Sequence, residues 1–88
     1  MGLYEEIEKI FHAIEKDISK ENLKEFKNTS LGNLYLYHFS LGMWIRNNFL
    51  HPKNRTLHNL FMKNGIFNED DMSSIIIQLF HHNISRKI

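Results

Sequence analysis

The chain has 88 residues, eleven basic and ten acidic, and a formal net charge of +1 with neutral histidines. This balance provides no general positive field, and it therefore disfavours a strongly basic nucleic-acid-binding protein. The absence of cysteine excludes disulfides, thiolate zinc sites and thiol nucleophiles, so a chain of this length must be stabilised by one core of aliphatic and aromatic side chains.

The first part of the chain predicts two amphipathic helices and a loop. Apolar residues at three- and four-residue steps predict a helix over Leu3–Ile18. Ser19 is the expected N-cap of a short helix over Lys20–Lys27, and the turn-forming residues at 28–33 predict a loop. Residues 34–39 alternate aliphatic and aromatic side chains, which suits a short strand, but no partner strand is evident, so helix or irregular structure is favoured.

The only tryptophan of the chain lies in Ser40–Leu50, which we predict to be a mostly buried central helix. Helical spacing puts Trp44 on its apolar side and Arg46 and Asn47 on its flank. The first residue of the stretch is the expected N-cap. The helix should end by His51, because the residue before a proline is disfavoured in the helical conformation.

Two more helices are predicted in the second half. The first covers Arg55–Asn64 after the N-cap Asn54, and Gly65 predicts a Schellman ending. The second begins after Asn68, where three carboxylates stand beside the free amides of the first turn. Ile77 lies off the core face of this helix and would be a contact point if exposed. The core face consists of Met72, Ile75, Ile76, Leu79 and Phe80. The chain is therefore predicted to be all-α, a single domain over residues 1–88 that forms a compact bundle of about five short helices.

A candidate partner-binding cluster surrounds the tryptophan. Arginine makes bidentate contacts and tryptophan gives a rigid apolar anchor, and both are typical of interface hot spots. A structural role is the favoured interpretation of two of these residues, with Trp44 in the core and Arg46 paired with Asp70 or Asp71, because a buried arginine needs a partner. The two roles are compatible. The predicted partner-binding residues are Trp44, Arg46, Asn47, His51 and Arg55.

No catalytic or metal-binding constellation is evident. The carboxylates of Asp70 and Asp71 are adjacent on a helix and point about a hundred degrees apart, so they do not converge on one ion. None of the six histidines has the i, i+4 spacing of a helical zinc site. Ser73 and Ser74 are interpreted as helix surface and not as nucleophiles. We therefore expect no enzyme activity, no metal and no cofactor.

Nucleic-acid binding is the alternative function. Five basic residues would gather into a patch if the last two helices lie side by side, and nearby aromatic residues could then stack on single-stranded bases. The near-neutral charge favours a solvated surface instead. The residues of this predicted patch are Lys53, Arg55, Lys63, Arg86 and Lys87.

The Ile45-Arg46-Asn47 block, the Gly65-Ile66 turn and the helix start at Asp70-Asp71-Met72-Ser73 together resemble a small bacterial and phage family of uncharacterised domains. The resemblance covers about Phe39 to Phe80. It implies a prokaryotic or phage context and a linked role for Arg46 and the Asp70/Asp71 pair, but no reaction. The chain departs from the family at residues 49–53, where members often have Trp-Gly-Leu-Trp.

The leading prediction is a non-enzymatic protein-interaction module, such as an accessory protein that binds and modulates, or inhibits, another protein. No segment approaches the ~20 apolar residues of a membrane span, and the N-terminus lacks the features of a secretory signal. We therefore expect a cytoplasmic protein with no membrane partner. The sequence leaves the oligomeric state open, because an exposed Ile77 or the apolar stripe of the first helix could form a homodimer interface.

Overall fold

The computed structural model describes residues 2–50 and 55–86, and helices form most of both ranges. No strand occurs within these described ranges, so the predicted all-α class is confirmed. The α-helices are α1 (Leu3–Asp17), α2 (Lys20–Lys27), α3 (Met43–Ile45), α4 (Arg55–Lys63) and α5 (Glu69–Ser85).

The two N-terminal helices form where the apolar spacing predicts them. The acidic residues Glu5 and Glu6 lie in the first turn of α1, and Lys16 lies in its last turn, an arrangement that complements the helix dipole. Ser19 caps α2, because its hydroxyl accepts the backbone N–H of Asn22 at 3.1 Å. Both helices are therefore specified by local sequence signals.

Residues 31–50, here called the central segment, are helical throughout but change their winding. The segment begins as a 3₁₀-helix (Leu31–Tyr37), passes through a π-helical turn (His38–Gly42) and α3, and ends in a second π-helical turn (Arg46–Leu50). The predicted loop is therefore wrong from residue 31 onward, and residues 34–39 are helical.

The long 3₁₀ run has a packing explanation. Side chains three residues apart eclipse one another in a 3₁₀-helix, so Leu34 and Tyr37 share one face, and this face is turned toward the core. The predicted N-cap at Ser40 is wrong, because Ser40 lies inside the helical segment and its hydroxyl donates to the Tyr37 carbonyl at 3.5 Å.

The ends of α4 and α5 follow the predicted signals. Gly65 has a φ of 83°, its N–H donates to the Met62 carbonyl at 3.1 Å, and the next N–H, of Ile66, donates to the Phe61 carbonyl at 3.0 Å. These bonds form the predicted Schellman ending. Asn68 caps α5 by accepting the N–H of Asp70 at 2.7 Å. The predicted cap at Asn54 lies outside the described residues.

The core is centred on α5, which packs against α2 and the central segment, while α1 packs against α4. Phe80 is fully buried, and its ring centroid lies 5.6 Å from those of both Phe11 and Phe26. One phenylalanine therefore joins α1, α2 and α5. Ile77 is only 3% exposed and is not a free contact point, because the central segment covers its side of α5.

Candidate functional site

Arg46 lies where the central segment packs against α5. Its Nη1 donates to the Ser73 hydroxyl at 2.9 Å, and its Nη2 donates to the His38 carbonyl at 3.1 Å. Its Nε lies 3.7 Å from Oδ1 of Asp70, and only 14% of the side chain is exposed. All three guanidinium nitrogens therefore contact groups of the same chain. This set of contacts is called the Arg46 node below.

The Arg46 node depends on Ser73 more than on the carboxylate. Ser73 is fully buried, and its hydroxyl also donates to the Asp70 carbonyl at 3.0 Å. The Asp70 side chain is 62% exposed, and solvated ion pairs contribute little to stability. Asp71 forms no ion pair with any residue in the described ranges. The interpretation of Ser73 as helix surface is therefore wrong, because the central segment covers this turn of α5.

Gly42 lies directly beside the guanidinium. A Cβ atom at this position would stand 3.0 Å from Nη1 of Arg46 and 3.4 Å from the Tyr37 carbonyl oxygen. Real Cβ contacts are rarely this short. A glycine inside a helical segment normally costs stability relative to alanine, so the close approach of Arg46 explains its presence here.

We expect Gly42→Ala to be at least about 1 kcal/mol less stable than the matched variant Gly32→Ala. A Cβ on Gly32 meets no atom of the described residues within 4 Å, so alanine there should stabilise the fold by reducing the entropy of the unfolded chain. At Gly42 the new methyl group must displace Nη1 and weaken its bond to Ser73. Urea unfolding followed by circular dichroism measures both variants, and equal stabilities would contradict the explanation.

The predicted partner-binding residues occupy different environments. Trp44 is partly buried and lines a cavity against α1 and α2, while Arg46 is directed into the fold. Asn47 is exposed, and Arg55 is exposed at the start of α4. His51 lies outside the described residues. The structure thus gives Arg46 contacts within the fold and places Trp44 on a cavity wall and Asn47 and Arg55 on open surface.

An exposed apolar surface is found on the first half of the central segment. Leu31, Tyr35 and Phe39 are 74%, 70% and 77% exposed. They line a groove of about 440 Å³ between the central segment and α5, whose other wall includes Ile77 and Gln78. This groove is called the apolar groove below. The sequence does not reveal this groove, because the alternating pattern of residues 34–39 leaves strand, helix and irregular structure open and does not indicate which side chains stay exposed.

The described residues that line the apolar groove include no Asp, Glu, Lys or Arg, and one end of the groove is acidic. No Asp, Glu, Lys or Arg occurs between Lys27 and Arg46. His38 lines the groove, and its Nε2 lies 3.9 Å from Oδ1 of Asp70. Asp70 also precedes the lining residue Ser74 by one helical turn of α5. Its exposed carboxylate therefore lies at the acidic end of the apolar groove.

A family model described as a domain of unknown function, DUF6794, matches residues 5–84. The chain belongs to this family. The predicted membership of a family of uncharacterised domains is therefore confirmed. The match includes both the Arg46 node and the apolar groove. No curated protein and no solved structure matches the chain.

Other candidate sites in this DUF6794 domain can be located as well. Arg55 and Lys63 are exposed at opposite ends of α4, about 12 Å apart along its axis, and Arg86 is exposed at the end of α5. Lys53 and Lys87 lie outside the described residues. Within the described ranges, no three acidic or histidine side chains converge as a metal site, and no helix is long and apolar enough to cross a bilayer.

Proposed function

We propose that this DUF6794 domain is a non-enzymatic interaction module that binds a segment of another protein in the apolar groove. The supporting observation is the exposure of Leu31, Tyr35 and Phe39 beside one another in a single groove. Single exposed apolar residues are ordinary, but a contiguous patch marks an interaction surface. These three side chains expose roughly 400 Å², and their burial would contribute on the order of 10 kcal/mol before the cost of association.

The charge of the surface favours a protein over a nucleic acid or an anionic membrane. Nucleic-acid affinity comes mainly from Lys and Arg contacts to phosphates, and interfacial membrane helices also carry basic residues. Neither residue type occurs between Lys27 and Arg46. Interface cores between proteins are instead depleted of charge and enriched in Tyr, Phe and Met. Met43, on the same segment, is also exposed.

The acidic end of the groove specifies the partner further. Asp70 is largely exposed, and its contact with Arg46 at 3.7 Å leaves carboxylate surface open to solvent. A bound segment that carries a lysine or arginine beside its apolar side chains would complement both parts of the groove. The proposed occupant is therefore a segment of another protein that is apolar and carries one flanking basic residue.

A crosslinking experiment identifies the occupant. A photo-crosslinking phenylalanine analogue at position 39 is expected to capture one protein in cells that produce the chain, whereas the same analogue at position 67 is not. Phe67 is a matched control, because it is 68% exposed but does not line the groove. Equal capture from both positions would contradict the proposal.

Affinity measurements with the captured protein test the contacts. We expect Tyr35→Ala combined with Phe39→Ala to weaken binding about 100-fold, and Phe67→Ala to change it less than about threefold. Asp70→Asn should weaken binding more than Asp71→Asn, the same chemical change one residue away. Calorimetry measures all four variants after circular dichroism has verified their folds.

Self-association is the competing outcome. If position 39 captures only this chain, and if sedimentation shows a dimer that the Tyr35/Phe39 double variant abolishes, the occupant is a second copy and the proposal of a different protein is wrong. A double variant that binds the captured protein within about threefold of the unaltered chain would also refute it.

The biological setting is part of the same proposal. We propose a cytoplasmic accessory protein of bacterial or phage origin that modulates or inhibits the protein it binds. Support comes from the absence of cysteine, which fits a reducing compartment, and from the resemblance described above. Activity of the captured protein with and without the purified chain tests the modulating role, and unchanged activity would refute it.

A further inference from the structure

A second concave site lies on the opposite side of the central segment. It has a volume of about 420 Å³ between the end of α1, α2 and the central segment, and none of its described lining residues also lines the apolar groove. Its apolar lining includes Ile14, Phe26, Leu41 and Trp44. A concave site of this volume is within the range of small-molecule sites, which combine an apolar lining with a few polar groups.

The charged groups of this cavity all have one sign. Asp17 and Glu25 line it, and no Lys, Arg or His of the described residues does. Neither carboxylate forms an ion pair with any residue in the described ranges. Both side chains are therefore available to a positively charged group that enters from outside.

Aromatic rings form another part of the lining. Tyr37 meets the ring of Phe26 edge to face at a centroid distance of 4.9 Å, and Trp44 meets Phe49 in a similar way at 5.4 Å. Tyr37 and Trp44 thus each pack on a neighbouring aromatic ring. Tryptophan and tyrosine rings attract ammonium groups through their electron-rich faces, and proteins recognise organic cations with such rings and nearby carboxylates.

We propose that this cavity binds a small organic ammonium ion. The apolar part of the ligand packs against the partly exposed Leu41 and Trp44, and its ammonium group is attracted by the carboxylates of Asp17 and Glu25. The inference does not depend on the proposed protein partner, because it concerns a separate site. Both carboxylates are exposed, so solvent screens them and the expected affinity is modest.

Three six-carbon probes test the charge requirement. Hexylammonium, 1-hexanol and hexanoate share one alkyl chain and differ in charge. Trp44 is the only tryptophan of the chain, so its fluorescence reports directly on the cavity. We expect a saturable change with hexylammonium, binding at least tenfold weaker with hexanol, and none with hexanoate. Equal affinities for the three probes, or no saturable change with hexylammonium, would overturn the proposal.

Paired variants of the full chain test the carboxylates. Asp17→Asn combined with Glu25→Gln should weaken hexylammonium binding at least tenfold and leave hexanol binding unchanged. Asp71→Asn combined with Glu8→Gln removes the same net charge from residues outside the cavity and should change binding less than twofold. Equal losses in the two double variants would show a general field effect and overturn the assignment. Thermal unfolding of each variant verifies that its fold is intact.

Discussion

Replacing Phe80 with alanine is expected to lower the free energy of unfolding by about 3–5 kcal/mol. Phe80 is fully buried, and its ring packs against those of Phe11 and Phe26, each at a centroid distance of 5.6 Å. The substitution removes contacts of α5 with α1 and α2 together. A small domain has a total stability of about 5–15 kcal/mol, so much of it should be lost.

Urea and thermal unfolding followed by circular dichroism measure this effect. The midpoint temperature should fall by roughly 15–30 °C. Phe67→Ala is the matched control, because Phe67 is 68% exposed, and its loss should cost less than about 0.5 kcal/mol. Phe80→Leu keeps most of the buried volume and provides a folded intermediate case. A loss below about 1 kcal/mol in Phe80→Ala would mean that the three rings do not form the centre of the core.

The sequence predicted four of the helices well, because their causes are local. Side-chain caps at Ser19 and Asn68 and the glycine ending at Gly65 each act within a few residues, and the apolar spacing of α1 extends over four turns. Element boundaries agreed to within about one residue wherever such a signal was present.

The central segment could not be predicted in the same way, because its winding depends on tertiary packing. Leu34 and Tyr37 favour the 3₁₀ geometry only when a core lies on one side of them. The exposure of Tyr35 and Phe39 depends on the same packing against the core. The sequence pattern of a hydrophobic stretch does not indicate which of its sides remains exposed. The apolar groove was missed for this reason.

The Arg46 node shows how much of a buried polar contact can be predicted from the amino-acid sequence. The sequence predicts an ion pair between Arg46 and an acidic residue at the start of α5. Charge alone does not distinguish Asp70 from Asp71 as the partner. Ser73 carries no charge, and its interpretation as helix surface was wrong because it is fully buried. One signal was present: Ser73 precedes Ile76, Ile77 and Phe80 by three, four and seven residues, which places it on the same side of α5.

The Arg46 node also connects the fold to the proposed function. The apolar groove lies between the central segment and α5, and Arg46 joins these two elements through Ser73. The carbonyl that Arg46 binds belongs to His38, which itself lines the groove. A variant that loosens this connection should therefore widen the groove and weaken partner binding, although Arg46 does not line it.

Arg46→Ala is expected to destabilise the fold by about 3 kcal/mol, because it leaves the Ser73 hydroxyl and the His38 carbonyl without their donor. A double-mutant cycle with Ser73→Ala isolates one bond, and its coupling energy should be about 1.5–3 kcal/mol, as for hydrogen bonds to charged groups.

The matching cycle of Arg46→Ala with Asp70→Asn should give a coupling energy below about 1 kcal/mol, because that carboxylate is 62% exposed and its oxygen lies 3.7 Å from Nε. Urea unfolding of the single and double variants supplies both values. A larger coupling energy with Asp70 than with Ser73 would make the ion pair the main support of the arginine. Arg46 would then be held chiefly by a solvent-exposed charge, and added salt should loosen the junction of the central segment with α5.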